Sequence, residues 1–402
     1  MFSVSLARSE RPSYLRSFSF VLLLAALVPI LMPSRVLAVD IGGSTFSADT
    51  TLTSGDTWTV GNVTINGGVT VTVPGAATVM MNSGANVNLS GLGTLAIDAT
   101  GLFQHATTTS GDNIVVTDAG SILNNGTYEF TTGGDIQLKG SGSTFYNNGL
   151  LTKTGINASS NDPSHIFPNS TSSGGTFINT GDITVTAGHL NIAGGSSTGG
   201  NFTTTSGAML SFSGRWSELT GVADNSAGGF IGTSAQDPAG TTGARFEAAA
   251  ATTVLNVTGT GLVLGTGAVD VHGNVLQNQG LLVIGSSQNP EIVDLFGGGT
   301  FVNASGGTVL LDKGSLTLTA TGLTNEGTLT LNDGETGVTD IVTINGPNAI
   351  TNVTGGVVNL EDGNLVLNTA LTNEGTMVLN AGTTSTTRVL ISGTTPLTNS
   401  AT

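Results

Sequence analysis

LTNEGTLTLNDG, residues 323–334, returns at residues 371–382 as LTNEGTMVLNAG, with nine of twelve letters unchanged and an offset of 48 residues. Self-similarity at a fixed spacing of this order is typical of a structural unit that stacks on copies of itself. The sequence therefore predicts a repeat architecture.

A longer pair of segments, NASGGTVLLDKGSLTL (303–318) and NVTGGVVNLEDGNLVL (352–367), indicates what the unit is made of. Between the two copies some apolar positions stay apolar, while the positions next to them change, as when Leu310 becomes Asn359. Retained and changing positions alternate with period two, which indicates short strands with one face in a core and the other in water. We expect the retained leucines to point inward: Leu311, Leu316, Leu318, Leu360, Leu365 and Leu367.

Glycines such as Gly306, Gly307 and Gly327 separate these strands, and glycine at positive φ is suited to tight corners. An asparagine begins each corner, usually as Asn-x-Gly, at Asn124, Asn147, Asn179, Asn278, Asn303, Asn325, Asn352 and Asn373. From Asn278 onward the steps are 25, 22, 27 and 21 residues, so about 24 residues form one turn of a parallel β-helix with about three short strands. The predicted fold class is therefore all-β, a β-solenoid.

The recurring asparagine has a physical role in such a stack. Its side-chain amide both donates and accepts, so asparagines in successive coils can form a hydrogen-bonded ladder. The alternative is that Asn-x-Gly marks isolated hairpin turns. The regular step favours the solenoid.

Residues 1–38 have the pattern of a cleaved signal peptide. Arg8, Arg11 and Arg16 precede an apolar run from Phe18 to Met32, and Val36-Leu37-Ala38 offers small residues for cleavage. The run has 15 residues, whereas a membrane-spanning helix needs roughly 20. We expect an exported protein whose mature chain has no transmembrane segment.

The composition of the mature chain excludes one class of partner. It keeps six Lys and Arg residues against 25 Asp and Glu residues, a formal net charge of −19. Nucleic-acid binding needs clustered bases, and these six are scattered along the chain. The chain has no cysteine, which excludes disulfides and thiolate metal sites.

The segments LTNEGTLTLNDG, FINTGDITVTAG (177–188) and VLQNQGLLVIG (275–285) resemble the repeats in passenger regions of bacterial autotransporters and filamentous-haemagglutinin-like surface adhesins. The resemblance covers most of residues 120–400. It implies a right-handed parallel β-helix at the cell surface or outer membrane, used for adhesion or matrix building. A glycan or a host or neighbouring cell surface is the partner it implies.

We expect residues 39–402 to form one solenoid with two irregular loops, near 157–175 and 213–250. The second loop holds Arg215, Trp216 and Glu218, which could stack on and hydrogen-bond a sugar. The final segment restarts the LTN motif and stops, so we expect an uncapped end that belongs to a longer protein or stacks on another copy.

Catalytic candidates are sparse, so we expect a structural protein and not an enzyme. The alternative is a β-helix polysaccharide lyase or glycoside hydrolase, which needs clustered carboxylates, and Glu361-Asp362 is the adjacent acidic pair. Asp270 and His272 could transfer protons, but no nucleophile is apparent beside them. No cofactor is expected; the acidic loop 332–335, with Asp340, could offer oxygens to Ca²⁺ but lacks the usual calcium-loop spacing.

Overall fold

The structure is a computed structural model of the 402-residue chain. It describes residues 39–59, 61–106, 113–156, 164–168, 174–227, 230–233, 244–246, 253–257, 260–264, 267–270, 275–284, 291–296, 300–311, 314–318, 322–331, 341–345, 349–360, 364–379, 388–391 and 397–400. Val39–Thr402 forms one compact unit. The signal-peptide prediction for residues 1–38 lies outside the described residues.

The described residues form β-strands, most of them short, and no helix, so none of their segments is a helix that could cross a membrane. The strands are β1 Thr45–Phe46, β2 Thr50–Thr51, β3 Thr57–Trp58, β4 Gly61–Ile65, β5 Thr70–Val73, β6 Thr78–Asn82, β7 Ala85–Leu89, β8 Thr94–Ile97, β9 Leu102–Ala106, β10 Asn113–Thr117, β11 Ser121–Asn124, β12 Thr127–Phe130, β13 Asp135–Lys139, β14 Thr144–Asn147, β15 Leu150–Lys153, β16 Ser164–Pro168, β17 Thr176–Asn179, β18 Asp182–Val185, β19 His189–Thr205, β20 Met209–Ala227, β21 Phe230–Thr233, β22 Ala244–Phe246, β23 Thr253–Val257, β24 Thr260–Leu264, β25 Gly267–Asp270, β26 Val275–Asn278, β27 Leu281–Ile284, β28 Glu291–Phe296, β29 Thr300–Asn303, β30 Thr308–Leu311, β31 Gly314–Leu318, β32 Gly322–Asn325, β33 Thr328–Leu331, β34 Ile341–Asn345, β35 Ile350–Asn352, β36 Val357–Leu360, β37 Asn364–Leu367, β38 Leu371–Asn373, β39 Thr376–Leu379, β40 Arg388–Ile391 and β41 Leu397–Asn399.

Strand pairing follows one rule over most of the stack. A strand pairs in parallel with the strand three places later in the chain, as β30 does with β33 and β33 with β36. Three strands therefore complete one coil, and the next coil lies on top of it. The predicted parallel β-solenoid, with about three strands per coil, is confirmed.

The duplicated segment lies two coils apart, as expected. Asn325 of β32 pairs with Asn352 of β35, and Asn352 pairs with Asn373 of β38. The intervening coil also has its asparagine at this corner, but four residues separate Asn352 from the next strand, whereas two separate Asn325 from the next strand. The near-identity of residues 323–334 and 371–382 therefore reflects equivalent places in the stack.

Alternate residues of each strand face the interior. In β33 the side chains of Leu329 and Leu331 are buried, while Thr328 and Thr330 are partly exposed. Of the six leucines predicted to point inward, Leu311, Leu316, Leu318 and Leu360 are buried. Leu365 and Leu367 pair through their backbones with Val342 and Ile344, and their side chains lie outside the described residues.

An aromatic column fills the interior of the N-terminal coils. The ring centroids of Trp58, Phe103, Tyr128, Phe145 and Phe177 follow one another at 5.2, 5.4, 5.4 and 5.5 Å. Tilted and edge-to-face pairs at such distances stabilise a core beyond the area they bury. The scarce aromatic residues of this chain are thus used mainly for stacking coils.

The corner glycines are required for two different physical reasons. Gly355 has a φ of +93°, a conformation that residues with a side chain rarely adopt. Gly375 lies outside that region, but a Cβ there would come within 2.3 Å of the Gly356 carbonyl oxygen in the preceding coil. Positive φ, which the sequence suggested for all corners, therefore explains Gly355, whereas close approach of two backbones explains Gly375.

The structure differs from the expected loops. Ser164–Pro168, inside the predicted loop 157–175, forms β16, which pairs with β13 and β19. The predicted loop 213–250 begins inside β20 and also contains β21 and β22. β19 and β20 are long strands of 17 and 19 residues. They pair with each other in parallel and continue around corners of the solenoid at points where the register of the pairing shifts.

Candidate functional site

The predicted asparagine ladder lies inside the solenoid at one corner. In the C-terminal coils the Nδ2 atom of each asparagine donates to the Oδ1 atom of the next at 2.6–2.9 Å. The members are Asn278, Asn303, Asn325, Asn352, Asn373 and Asn399. All but the last are buried, so the ladder is a continuous polar line within an apolar interior.

The second Nδ2 proton is also used. Asn352 Nδ2 donates to the Thr376 carbonyl oxygen at 3.1 Å, just after the corner of the next coil. Asn303 and Asn325 make equivalent bonds to the carbonyl oxygens of Thr328 and Val357. Each amide therefore joins two coils by side chain and by backbone, which satisfies polar groups that would be costly to bury unpaired.

A shorter ladder runs through the N-terminal half. Asn124 donates to Asn147 at 2.7 Å, Asn147 to Asn179 at 2.6 Å, and Asn179 to the Ser197 hydroxyl at 3.0 Å. It begins at Asn124 because the paired residue of the preceding coil is Ile97. The Asn124 Oδ1 atom is accordingly buried without a hydrogen-bond partner.

The predicted sugar-binding cluster is not a surface site at Trp216. This residue lies in β20, its side chain is 0% exposed, and its ring packs edge-on against Phe212 at 5.3 Å. An indole with no exposed face cannot stack on a sugar, which corrects the expectation for Trp216. The side chains of Arg215 and Glu218 lie outside the described residues, and sugar binding by these two stays a prediction.

A row of polar side chains that the sequence did not single out crosses four strands. Asp135, His165, Asn191 and Ser211 are paired in register on β13, β16, β19 and β20. His165 Nδ1 lies 3.1 Å from Asp135 Oδ1, and Ser211 Oγ lies 3.0 Å from Asn191 Oδ1. Only an alignment of whole coils could have brought these residues together, because they are 20–30 positions apart in sequence.

His189 and Lys153 belong to the same region. His189 Nε2 lies 2.6 Å from Ser211 Oγ, and burial, with the positive charges of His165 and Lys153, lowers the pKa of His189 to about 4. Burial lowers the pKa of Lys153 to about 8, and its Nζ atom donates to the Thr132 carbonyl oxygen and the Ser164 hydroxyl. Ser211 is fully buried, so the short His189–Ser211 contact holds coils together and offers no nucleophile to a substrate.

The remaining chemical candidates are only partly described. Asp270 ends β25, in register with Arg245 and Phe296, but nothing is described of its side chain. His272, Glu361, Asp362, the acidic loop 332–335 and Asp340 lie outside the described residues, so proton transfer, polysaccharide cleavage and calcium binding there stay untested. Within the described part, no three His, Asp or Glu side chains form a group that could hold a metal ion.

Comparison with known proteins assigns no family to the chain. No family model matches the chain, and no match was found among curated proteins. Among solved structures the chain is similar to a hyper-glycosylated fragment of TibA, residues 55–350, whose glycosylation is catalysed by TibC. The identity is 15%, the alignment covers 88% of this chain and 100% of that one, and the TM-score is 0.23.

Proposed function

We propose that this chain is an exported, non-catalytic β-solenoid that forms the stalk of an adhesin-like protein at the cell surface. The observation that carries the proposal is the in-register stack of coils joined by the buried asparagine ladder from Asn278 to Asn399. A ladder of this kind holds equivalent corners of successive coils together along the axis of the solenoid. It gives an extended scaffold with a long outer surface.

Two properties of the sequence support export and surface display. The leader at residues 1–38 has the order of charged, apolar and small residues of a cleaved signal. The mature chain is strongly acidic and lacks cysteine, so it can remain soluble and fold outside the cell without disulfides. Adhesion or matrix contact through the outer faces of the coils is the role that suits such a scaffold.

The test is to locate the protein and then to remove it. An antibody raised against residues 39–402 should label intact cells of the native host, and brief protease treatment of those cells should abolish the labelling. Cells that lack the chain should adhere less to host cells, neighbouring cells or matrix. Recovery of the protein only from the cytoplasm, or cleavage of a polysaccharide by the purified chain, would contradict the proposal.

A further inference from the structure

Tyr146 differs from the other aromatic residues of the protein. Of the aromatic side chains that the structure describes, it is the most exposed, with 37% of its surface accessible. Phe145, its neighbour in β14, is buried in the aromatic column. A partly exposed tyrosine ring offers an apolar face and a hydroxyl group to a ligand, so the surroundings of Tyr146 decide whether it forms a site.

Tyr146 lies in the middle of an apolar row. It pairs in register with Leu123 of β11 in the coil on one side and with Ile178 of β17 in the coil on the other. Both of these side chains also face outward and are partly exposed. Since paired parallel strands are about 4.8 Å apart, the row forms a narrow flat strip about 10 Å long.

Hydrogen-bonding groups flank this strip on both sides. On the corner side, Asn148 Nδ2 donates to Asn125 Oδ1 at 3.0 Å, and Thr180 Oγ1 donates to Asn148 Oδ1 at 3.0 Å, all in exposed positions. On the other side lie the hydroxyl groups of Ser121 and Thr176, whereas Thr144, paired in register between them, is buried and donates to the Gly142 carbonyl oxygen at 3.1 Å. An apolar strip between two polar rows is complementary to a molecule with apolar faces and a polar rim.

The charges of this surface narrow the choice of ligand. None of the nine residues in the three rows is charged; of the strands that follow the corner, β12 and β18 carry the acidic residues Glu129 and Asp182, and β15 carries Lys153, which is buried. A sulfated or uronic-acid polymer would be repelled by the carboxylates of Glu129 and Asp182 and would find no cation within the three rows. An uncharged sugar ring has the C–H faces and hydroxyl edges that the three rows match.

We infer that Tyr146, with the apolar row Leu123–Tyr146–Ile178 and the amide row Asn125–Asn148–Thr180, is a binding site for an uncharged glycan. The inference rests on the proposed adhesive function and names the part of the scaffold that makes contact. The sugar stacks on the Tyr146 ring, and its hydroxyl groups bond the amides of Asn125 and Asn148. Successive coils repeat the amide row along the glycan chain.

The test is native electrophoresis of the full chain through gels that contain mannan, galactan or dextran, with alginate as the acidic comparison. Migration should be retarded in at least one neutral gel and unaffected by alginate. Tyr146→Ala should weaken the retardation roughly tenfold in polysaccharide concentration, the loss expected for an aromatic contact. Tyr146→Phe, which keeps the ring, should bind as the wild type does.

Leu92→Ala is the matched control, because Leu92 is also an exposed apolar side chain, at 67%, but lies outside the three rows. Equal retardation of wild type and Tyr146→Ala, or no retardation in any neutral gel, would overturn the inference. So would a change in oligomeric state on Tyr146→Ala without a change in glycan binding, since the strip would then join copies of this chain. Cells that display the protein and adhere normally with Tyr146→Ala would leave the proposed function standing and remove only this site.

Discussion

Asn352 Nδ2 donates to Asn373 Oδ1 at 2.7 Å, and both side chains are buried at equivalent corners of successive coils. The same bond between the side-chain amides of successive coils repeats through the C-terminal half of the solenoid. It couples neighbouring coils at a point where an unpaired amide would be costly.

Replacing Asn352 by leucine should therefore destabilise the coils on both sides. The change leaves one Asn325 Nδ2 proton and the Asn373 Oδ1 atom without their partner, at a cost of about 2–4 kcal/mol in the free energy of unfolding. Denaturant unfolding, with hydrogen exchange to locate the effect in β32 and β38, is the measurement. Asn359→Leu, at a partly exposed outward position, should change stability by less than about 0.5 kcal/mol, and equal effects would contradict the role of the ladder.

Ile97→Asn tests the end of the shorter ladder. The new amide would lie next to the Asn124 Oδ1 atom that has no partner, and would extend the ladder by one coil. Ile97→Asn should therefore lower the free energy of unfolding by at least about 1 kcal/mol less than Leu95→Asn does. Leu95→Asn also places an asparagine at a buried position of β8, but away from the ladder. Thermal unfolding of the two variants is the measurement. A smaller loss of stability in Leu95→Asn than in Ile97→Asn would contradict the prediction.

Leu318→Asp and Thr317→Asp compare the two faces of one strand. Leu318 is 0% exposed, so a carboxylate there should cost more than about 4 kcal/mol and unfold the neighbouring coils. Thr317 is partly exposed and should tolerate the change to within about 0.5 kcal/mol. Protease resistance of the two variants is the simplest measurement, and similar digestion would refute the assignment of inside and outside.

Acid should weaken the coils around His189. The pKa of His189 is about 4 in the folded protein, and its ordinary value, which applies to the unfolded chain, is 6.5. Below pH 6.5 the unfolded chain therefore binds a proton that the folded chain does not bind. Stability should therefore fall as the pH drops from 6.5 to 4, by up to about 3 kcal/mol, and change no further through this group below pH 4.

His189→Gln keeps a hydrogen-bonding group beside Ser211 but cannot titrate. Unfolding free energies measured from pH 7 to pH 4 should have a smaller slope for this variant than for the wild type. The neighbouring titratable groups, Asp135, Lys153 and His165, remain in both proteins. Identical slopes would show that His189 is not the source of the acid sensitivity.

The backbone of the fold was predictable because it is periodic. Period-two alternation located the inner leucines, and the asparagine steps located the coils, since both patterns follow from a chain that returns to the same place in each turn. The alignment of the two sequence copies, 303–318 and 352–367, was wrong in one detail, because it made Leu316 equivalent to Leu365. In the structure Leu316 pairs with Ile344, and Ile344 pairs with Leu367, a shift of two residues that preserves the inner face.

The irregular segments were less predictable from their sequence. Parallel pairing with a neighbouring coil satisfies the backbone N–H and C=O groups of a segment whatever its side chains are. β16 contains His165 and ends at Pro168, and nothing in its side chains alternates clearly, yet its neighbours β13 and β19 hold it as a strand. Trp216 was assigned to the surface for a similar reason. Its burial depends on register shifts between β19 and β20 that no local pattern reveals.

The asparagine ladder is interrupted between Ser197 and Asn278, where Leu219 pairs with Ser197 and Val257 with Asn278. Tension applied along the stack pulls coils apart, and it opens the bonds between them one coil at a time. Coils joined at that corner by a side-chain amide should need more force to separate than coils that have no amide there. If the chain acts as the proposed stalk, we expect a pulling force to open the coils of this middle segment before those that the two ladders join.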